Sequence, residues 1–282
     1  MSLYLLKDYL DFVVRCYDYW PANRKKLFFR GHADKNRELL PAALRTDNNG
    51  LRPKERELIL DFKQVSVSDM DYRGKIENML VEMQHFGIPT RLLDWSLSPL
   101  VALYFACMSD KDADSGKEKD GKVFALNPWV AYKNIVTKLD YHPELMDILK
   151  ETRMLLAQKW SFDNVSKYIE KKYGYSIDKD ALRVPIPFVG RYMVDRVVSQ
   201  QGCFVMWGDG DNQAFAPETY LPLHKFSEYE DALMSPFIIP GDSKESMRIH
   251  LRQLSVDRFT IFPDNDGIRA QVQEVKSIFN YR

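Results

Sequence analysis

One stretch, from His85 to Met108, gathers the polar residues with the clearest capacity for chemistry. Arg91 and Asp94 lie there within an otherwise apolar segment, and Ser98 followed by Pro99 is typical of a helix start. A junction between a strand and a helix presents unpaired backbone N–H groups and the positive end of the helix dipole. The pattern therefore predicts one wall of a binding site.

Arg30 is a second charged residue at the end of an apolar run, directly after Phe28 and Phe29. An arginine there either reaches out to a phosphate or carboxylate ligand or forms a structural ion pair. Arg91 is enclosed by apolar neighbours, and a buried guanidinium needs a partner. Because Asp94 points to the opposite face of a regular strand, Arg91 either pairs with another segment or faces a cleft.

Three more polar residues have both a functional and a structural interpretation. Asp94 could hold a ribose hydroxyl or orient Arg91, or it could cap the following helix. His85, near a predicted helix C-terminus, is either an acid–base group or a histidine stabilised by the helix dipole. Gln201, beside Gln200, either hydrogen-bonds a ligand or closes a turn.

Composition and motif searches exclude several classes of site. The five histidines are scattered without metal-ligand spacing, so no metal is expected, and GxxxxGK[ST], GxGxxG and GxSxG are all absent. Forty basic residues balance forty acidic ones, which argues against nucleic-acid binding through bulk charge. Three cysteines without a CxxC pair suit a reducing compartment, and no apolar run approaches about 20 residues. We therefore expect a cytoplasmic chain with no membrane partner.

Apolar periodicity predicts the elements that position these groups. Helices are predicted over residues 4–20, 51–65 and 76–86, from Pro99 onward, from Asp242 or Ser243 to Leu254, and after Gly267. Strands are predicted over residues 26–31, 90–96, 122–126, 184–189 at a sheet edge, 203–207, 237–240 and 259–262. We expect one domain over residues 1–282, in which 129–182 form a helical insertion or lid.

Several sequence blocks together resemble the FRG domain family, which is named for its Phe/Tyr-Arg-Gly motif. The blocks are Phe28–His32, Leu39–Pro41, Leu44–Arg45, Gln84–Pro99, Ala102–Ala106, Gln200-x-Gly202-x-Phe204 and Phe262–Gly267. The resemblance runs over most of the chain and is most specific in the Gln84–Pro99 block.

A more distant resemblance is to ADP-ribosyltransferases of the Arg–Ser–Glu type. Phe29–Gly31 is similar to their first-strand motif, Thr90–Ala106 to their second strand and helix, and Gly121–Phe124 to their third strand. This resemblance implies an α+β fold with a split, mainly antiparallel sheet, N-terminal helices and a helical insertion. NAD would bind between the two halves of the sheet.

The same resemblance implies roles for individual residues. Arg30 would pair with the phosphate of NAD, Trp95 or a tyrosine would stack on nicotinamide, and Gln201 would contact ribose. The implied cofactor-binding set is Arg30, Gly31, His32, Thr90, Trp95, Ser96 and Gln201, and the candidate catalytic set is Arg30, His85, Arg91 and Asp94.

The chain departs from the transferase pattern at its catalytic acid. The Gln200–Gln201 segment contains no Glu, although a carboxylate normally stabilises the positive charge of the transition state. Either Glu82 or Asp94 substitutes for it, or the site binds its ligand without transferring a group.

Two classes of function follow from these observations. In the first, the chain binds a nucleotide-like small molecule and is an NAD-dependent ADP-ribosyltransferase or NAD glycohydrolase. In the second, it is a non-catalytic ligand sensor or interaction module of a phage-defence or toxin system, which leaves room for a protein partner. The neutral net charge speaks against a nucleic-acid partner.

Overall fold

The computed structural model describes residues 2–20, 26–45, 55–65, 76–139, 142–157, 162–178, 180–190, 195–208, 220–263 and 272. The strands are β1 (Phe28–His32), β2 (Leu92–Ser96), β3 (Gly121–Leu126), β4 (Ile186–Phe188), β5 (Gly202–Met206) and β6 (Phe237–Ile239). The helices are α1 (Ser2–Tyr19), α2 (Glu55–Val65), α3 (Ile76–His85), α4 (Pro99–Ala106), α5 (Pro128–Lys138), α6 (Leu145–Ala157), α7 (Phe162–Tyr173), α8 (Asp195–Ser199), α9 (Lys244–Gln253) and α10 (Arg258–Ile261).

The six strands form one sheet in the order β4-β5-β2-β1-β3-β6, and every described pairing is antiparallel. The two central strands, β2 and β1, are joined by a single register pair, Phe29 opposite Ser96, whereas β1 and β3 share five pairs. The sheet thus consists of two three-stranded halves that meet at one point. This architecture confirms the predicted α+β class and the antiparallel sheet.

Three clusters of buried apolar side chains cover the sheet. Because side chains alternate along a strand, Phe28 and Phe29 belong to opposite faces. The far-face core spans both halves and includes Phe28, Phe124, Leu93, Trp95 and Val205. The other face carries two separate clusters, the β5-side core, with Leu92, Phe204 and Met206, and the β3-side core, with Phe29, Val123 and Ala125.

Helix α4 begins as the sequence predicts. The Ser98 side chain accepts a hydrogen bond from the backbone N–H of Val101, and Pro99 occupies the first turn, where its missing N–H costs nothing. The helix crosses β1 so closely that a Cβ atom at Gly31 would collide with the carbonyl oxygen of Ala102. Glycine is therefore required at that position.

Three expectations about the C-terminal part have different outcomes. The predicted strand over 259–262 is wrong, because Asp257 and Thr260 form a reciprocal capping box that starts the short helix α10. The predicted helix from Ser243 to Leu254 is confirmed as α9, but the Ser243 side chain makes no capping hydrogen bond, because Ser243 already has helical backbone angles at the end of a 3-10 turn. The predicted C-terminal helix after Gly267 lies outside the described residues.

The segment 129–182 holds α5, α6 and α7, as expected from its periodicity; its role as a lid stays a prediction. Proline-rich β4 lies at a sheet edge, which confirms the interpretation of residues 184–189. The three cysteines are buried and unbridged. Among the described residues, no helix combines the length and the apolar character needed to cross a membrane.

Candidate functional site

A cleft of about 290 Å³ opens where the two halves of the sheet separate. Its volume is at the lower end of the range for small-molecule sites. Strands β1, β2 and β5 and helices α3, α4 and α8 all contribute to its walls. The lining residues used below are Arg30, Gly31, Gln84, His85, Asp94, Trp95, Ser96, Phe105, Arg196, Gln200 and Phe262. We call this cavity the central cleft.

Arg30 bridges the two halves of the sheet. Its Nη1 donates a hydrogen bond to the backbone carbonyl of Asp94 on β2, and its Nε lies 2.8 Å from Nε2 of His32. Burial lowers the pKa of Arg30 to about 10, so the guanidinium remains charged at neutral pH. A fixed cation therefore stands at the point where the strands diverge.

His32 orients this arginine. Burial first, and the charge of Arg30 second, lower the pKa of His32 to about 2, so its ring is neutral. Nδ1 lies 3.1 Å from the carbonyl oxygen of Arg37, which can only accept, and this assigns the ring proton to Nδ1. Nε2 is then the acceptor for the N–H of Arg30. The imidazole thus fixes the direction of the guanidinium rather than exchanging protons.

Of the described residues that line the central cleft, one is acidic, and it is Asp94. Asp94 is exposed on the surface of the cleft. Desolvation by the surrounding protein raises the pKa of its carboxyl group, while the charge of Arg30 acts in the opposite direction. Nε2 of Gln84 lies 3.4 Å from Oδ2 of Asp94 and also donates to the Leu92 carbonyl. The carboxylate is therefore held beside a cation but outside a closed ion pair.

Ser96 ties together the segments that form the inner end of the cleft. Its Oγ donates to the carbonyl of Gln200 at 2.6 Å and accepts from the N–H of Ser98 at 2.9 Å. The Gln200 side chain in turn donates to the Ile261 carbonyl at 3.3 Å. One hydroxyl thus couples the end of β2, the start of α4 and the turn before β5.

Two aromatic residues and an arginine add a wall that sequence reasoning did not identify. The rings of Phe105 and Phe262 pack edge to face at 6.0 Å, and the guanidinium of Arg196 lies 5.0 Å from the centre of the Phe262 ring. The apolar run over 259–262 predicts a strand that contains Phe262, whereas the Asp257-x-x-Thr260 pattern predicts that Phe262 follows a short helix, as it does.

The predicted site residues do not all reach the central cleft. Arg30, Gly31, His85, Asp94, Trp95 and Ser96 line it. Arg91 is instead buried against Glu55 of α2, with Nε 2.6 Å from Oε2, which resolves its two interpretations in favour of pairing with another segment. Thr90 is buried, and its Oγ1 accepts from the N–H of Leu92.

Trp95 and Gln201 are placed differently from what the stacking and ribose roles imply. The Trp95 side chain is 3% exposed and belongs to the far-face core, so stacking on a ligand would require it to leave that core. Gln201 is exposed in a turn with a φ of 47°, and the neighbouring Gln200 lines the cleft in its place.

Two buried polar atoms on the α3 residues that line the cleft have no hydrogen-bond partner within the described residues. They are Oε1 of Gln84 and Nδ1 of His85. Buried polar groups are normally paired, and those left open cluster at sites where a ligand or water completes them. Gln84 and His85 follow each other at the end of α3, so the open atoms concentrate on one wall.

Comparison with known proteins gives one positive result. The family model described as FRG domain matches residues 25–115, a region that includes β1, β2 and α4. No curated protein and no solved structure matches the chain.

Proposed function

Because the chain carries an FRG domain whose matched region supplies both Arg30 and Asp94 to one cleft, we propose that the central cleft binds NAD and breaks its bond to nicotinamide. The carrying observation is the juxtaposition of a fixed guanidinium and an accessible carboxylate where the sheet halves separate. Arg30 would face a phosphate, and Asp94 would stabilise the positive charge that develops on the ribose as nicotinamide leaves.

The chemistry is a hydrolysis or a transfer. Water, or a nucleophilic group of an acceptor, forms a bond to the ribose carbon and loses a proton to solvent. The glycosidic bond breaks, and nicotinamide leaves with the bonding electrons. Gln84, whose amide reaches Asp94, holds the carboxylate in place. The raised pKa of Asp94 implies a pH dependence, because only its ionised form stabilises a cation. The rate should therefore fall as the pH is lowered through that raised pKa.

The test is release of nicotinamide from NAD by the pure protein, followed by chromatography. We expect Asp94→Asn to lower the rate by about 100-fold, since it removes the charge and keeps the shape. Asp8→Asn, at an exposed site of α1, is the matched control and should leave the rate unchanged. A rate equal to that of the unsubstituted protein in Asp94→Asn would contradict the proposal, provided that both variants melt at the same temperature.

A second candidate function, a ligand sensor, is favoured by a specific observation. Gln200 and Gln201 stand where the resemblance to transferases would place a catalytic Glu, and the Gln200 amide is engaged with the Ile261 carbonyl. An amide there can hold a ligand without driving its cleavage. Calorimetric titration with NAD, combined with the chromatographic assay, separates the two functions. A sensor would bind NAD in the titration and release no nicotinamide over hours in the assay.

A further inference from the structure

A second cavity, of about 330 Å³, adjoins the central cleft at Arg30. It is lined by Arg30, Gly31, His32, Ala33, Arg37, Arg45, Phe105, Met108, Ser109 and Asp110. We call it the arginine cavity. Arg30, Gly31 and Phe105 line both cavities. The two cavities therefore border each other at Arg30, Gly31 and Phe105.

The arginine cavity has an excess of positive charge. Three arginines line it, and Asp110 is the acidic residue among its described lining. The three guanidinium groups are close enough to interact, since the charges of Arg45 and Arg37 add to the effect of burial in lowering the pKa of Arg30. His32 adds no positive charge, because its ring is neutral. An anion that enters would relieve the repulsion among like charges.

Arg45 is held in a fixed direction. Its Nε and Nη2 both donate to the carbonyl of Leu40, at 2.8 and 2.5 Å, and Leu40 belongs to the far-face core. These two hydrogen bonds use Nε and Nη2 of Arg45, so its Nη1 can donate to a further acceptor such as a ligand oxygen. A guanidinium positioned by the core loses little side-chain entropy when it binds a ligand.

Arg37 can change partners at low cost. It is exposed and lies 3.0 Å from Asp110, which also has Lys119 at 3.3 Å. If Arg37 turned towards a ligand, Asp110 would keep its contact with Lys119, which it shares with Asp34 at 3.1 Å. The acidic residue of the cavity therefore does not prevent anion binding.

We propose that the arginine cavity is a diphosphate subsite, in which Arg30, Arg37 and Arg45 surround the two phosphates of a dinucleotide. This rests on the proposed function, since the nucleoside that continues from the diphosphate would lie in the central cleft. A diphosphate diester carries two negative charges, which match three guanidinium groups against one carboxylate. Each guanidinium group can donate two parallel hydrogen bonds to a pair of phosphate oxygens. Three arginines therefore offer more donors than one phosphate can use, and we expect the subsite to prefer diphosphate to monophosphate ligands.

The first experiment uses inorganic pyrophosphate, which fits the subsite and lacks a nucleoside. Isothermal titration at low ionic strength should show binding that Arg37→Gln and Arg45→Gln each weaken by about tenfold. Arg15→Gln, at an exposed site on α1, is the matched control with the same loss of charge and should bind as the unsubstituted protein does. Pyrophosphate affinity that is undetectable, or equal in all four proteins, would overturn the proposal.

A second arm separates this proposal from the proposed function. ADP-ribose should bind more tightly than AMP, and Arg37→Gln should remove most of that difference; because Arg37 is exposed, this variant is expected to fold. Pyrophosphate binding that depends on Arg45, without binding or turnover of NAD, would uphold the subsite and refute the NAD site. Turnover of NAD with a KM that is the same in Arg37→Gln, Arg45→Gln and the unsubstituted protein would uphold the NAD site and refute the subsite.

Discussion

Arg30, Gly31 and His32 act as one unit at the residue scale. Gly31 permits the close approach of α4, which brings the Phe105 side of the cleft next to β1. His32 supplies a neutral acceptor that directs the Arg30 guanidinium across the gap to β2. The Phe-Arg-Gly motif with its following His thus combines a steric and an electrostatic requirement, and replacing Gly31 or His32 should disturb the position of the Arg30 guanidinium.

The pH dependence of stability tests the neutral state of His32. Above about pH 6.5, the ring is neutral in both folded and unfolded chains, and its contribution to stability is complete. Below that pH the unfolded chain takes up a proton and the folded chain does not, because burial and Arg30 lower the folded pKa to about 2. The free energy of unfolding should therefore fall by about 1.4 kcal/mol per pH unit from this group alone.

His32→Gln keeps one donor and one acceptor but cannot titrate. We expect its free energy of unfolding, measured by urea denaturation, to decline less steeply between pH 6.5 and 5 than that of the unsubstituted chain. The two proteins serve as each other's control at pH 8, where neither changes protonation at this position. Parallel curves over the whole range would show that the folded imidazole takes up a proton.

Sequence reasoning located some site residues and not others, for a physical reason. Arg30 and Asp94 were identified because an isolated charge at the end of an apolar run is visible locally. The partner of Arg91 was not, since Glu55 lies 36 positions away and no local pattern joins them. The choice between Gln200 and Gln201 depends on a backbone angle at the turn, which neighbouring residue types do not determine.

At the scale of elements, α9 fastens the ends of two segments that form the cavities. Nζ of Lys244 donates to the carbonyls of Ala33, just after β1, and Met108, just after α4. Arg248, one turn later, donates to the carbonyl of Cys107 at 2.7 Å. Both cations lie at the C-terminal end of α4, where they also interact favourably with the dipole of that helix. A helix remote in sequence therefore sets the position of α4 relative to β1.

Lys244→Met should destabilise the protein by about 3 kcal/mol. Lys244 is fully buried, and the substitution removes its two charge-assisted hydrogen bonds and leaves two carbonyls without a donor. Thermal or urea unfolding followed by circular dichroism measures the loss. The control is Lys133→Met, at an exposed position of α5, which should change stability by less than about 0.5 kcal/mol. Equal effects of the two substitutions would show that the Lys244 contacts contribute little.

Helices and strands followed from local patterns where those patterns were strong. The Ser98–Pro99 start of α4 and the edge position of β4 were predicted because capping and proline chemistry act over a few residues. Arg258–Ile261 form a helix and not the strand predicted over 259–262, because the capping box of Asp257 and Thr260 sets the backbone there in spite of the apolar content. The order of the strands could not be predicted, because pairing joins residues far apart in the chain.

At the scale of the whole molecule, the central cleft lies on the face where two separate cores meet. The β5-side core supports one half of the sheet and the β3-side core the other, while the far-face core packs across both. Since β1 and β2 share one register pair, side-chain packing on the far face holds the halves together more than strand pairing does. The cleft therefore lies between two separate cores on one face of the sheet, while a single core covers the opposite face.

We expect the far-face core, which both halves of the sheet share, to make the two halves unfold together. Differential scanning calorimetry should show one transition, with calorimetric and van't Hoff enthalpies that agree if unfolding is reversible. Two resolved transitions would mean that the cores on the cleft face melt independently and that the far-face core does not couple them. A repeat scan of the cooled sample is the control for reversibility.

The single pair between Phe29 and Ser96 also bears on how chains built on this plan can diversify. Each wall of the cleft rests on its own core, so exchanges of apolar residues in one core reshape one wall and leave the other in place. The strands that carry Arg30 and Asp94 are also anchored by the far-face core, through Phe28 and Leu93, which such exchanges do not alter. Evolution can thereby alter which ligand fits while it inherits the same pair of charges.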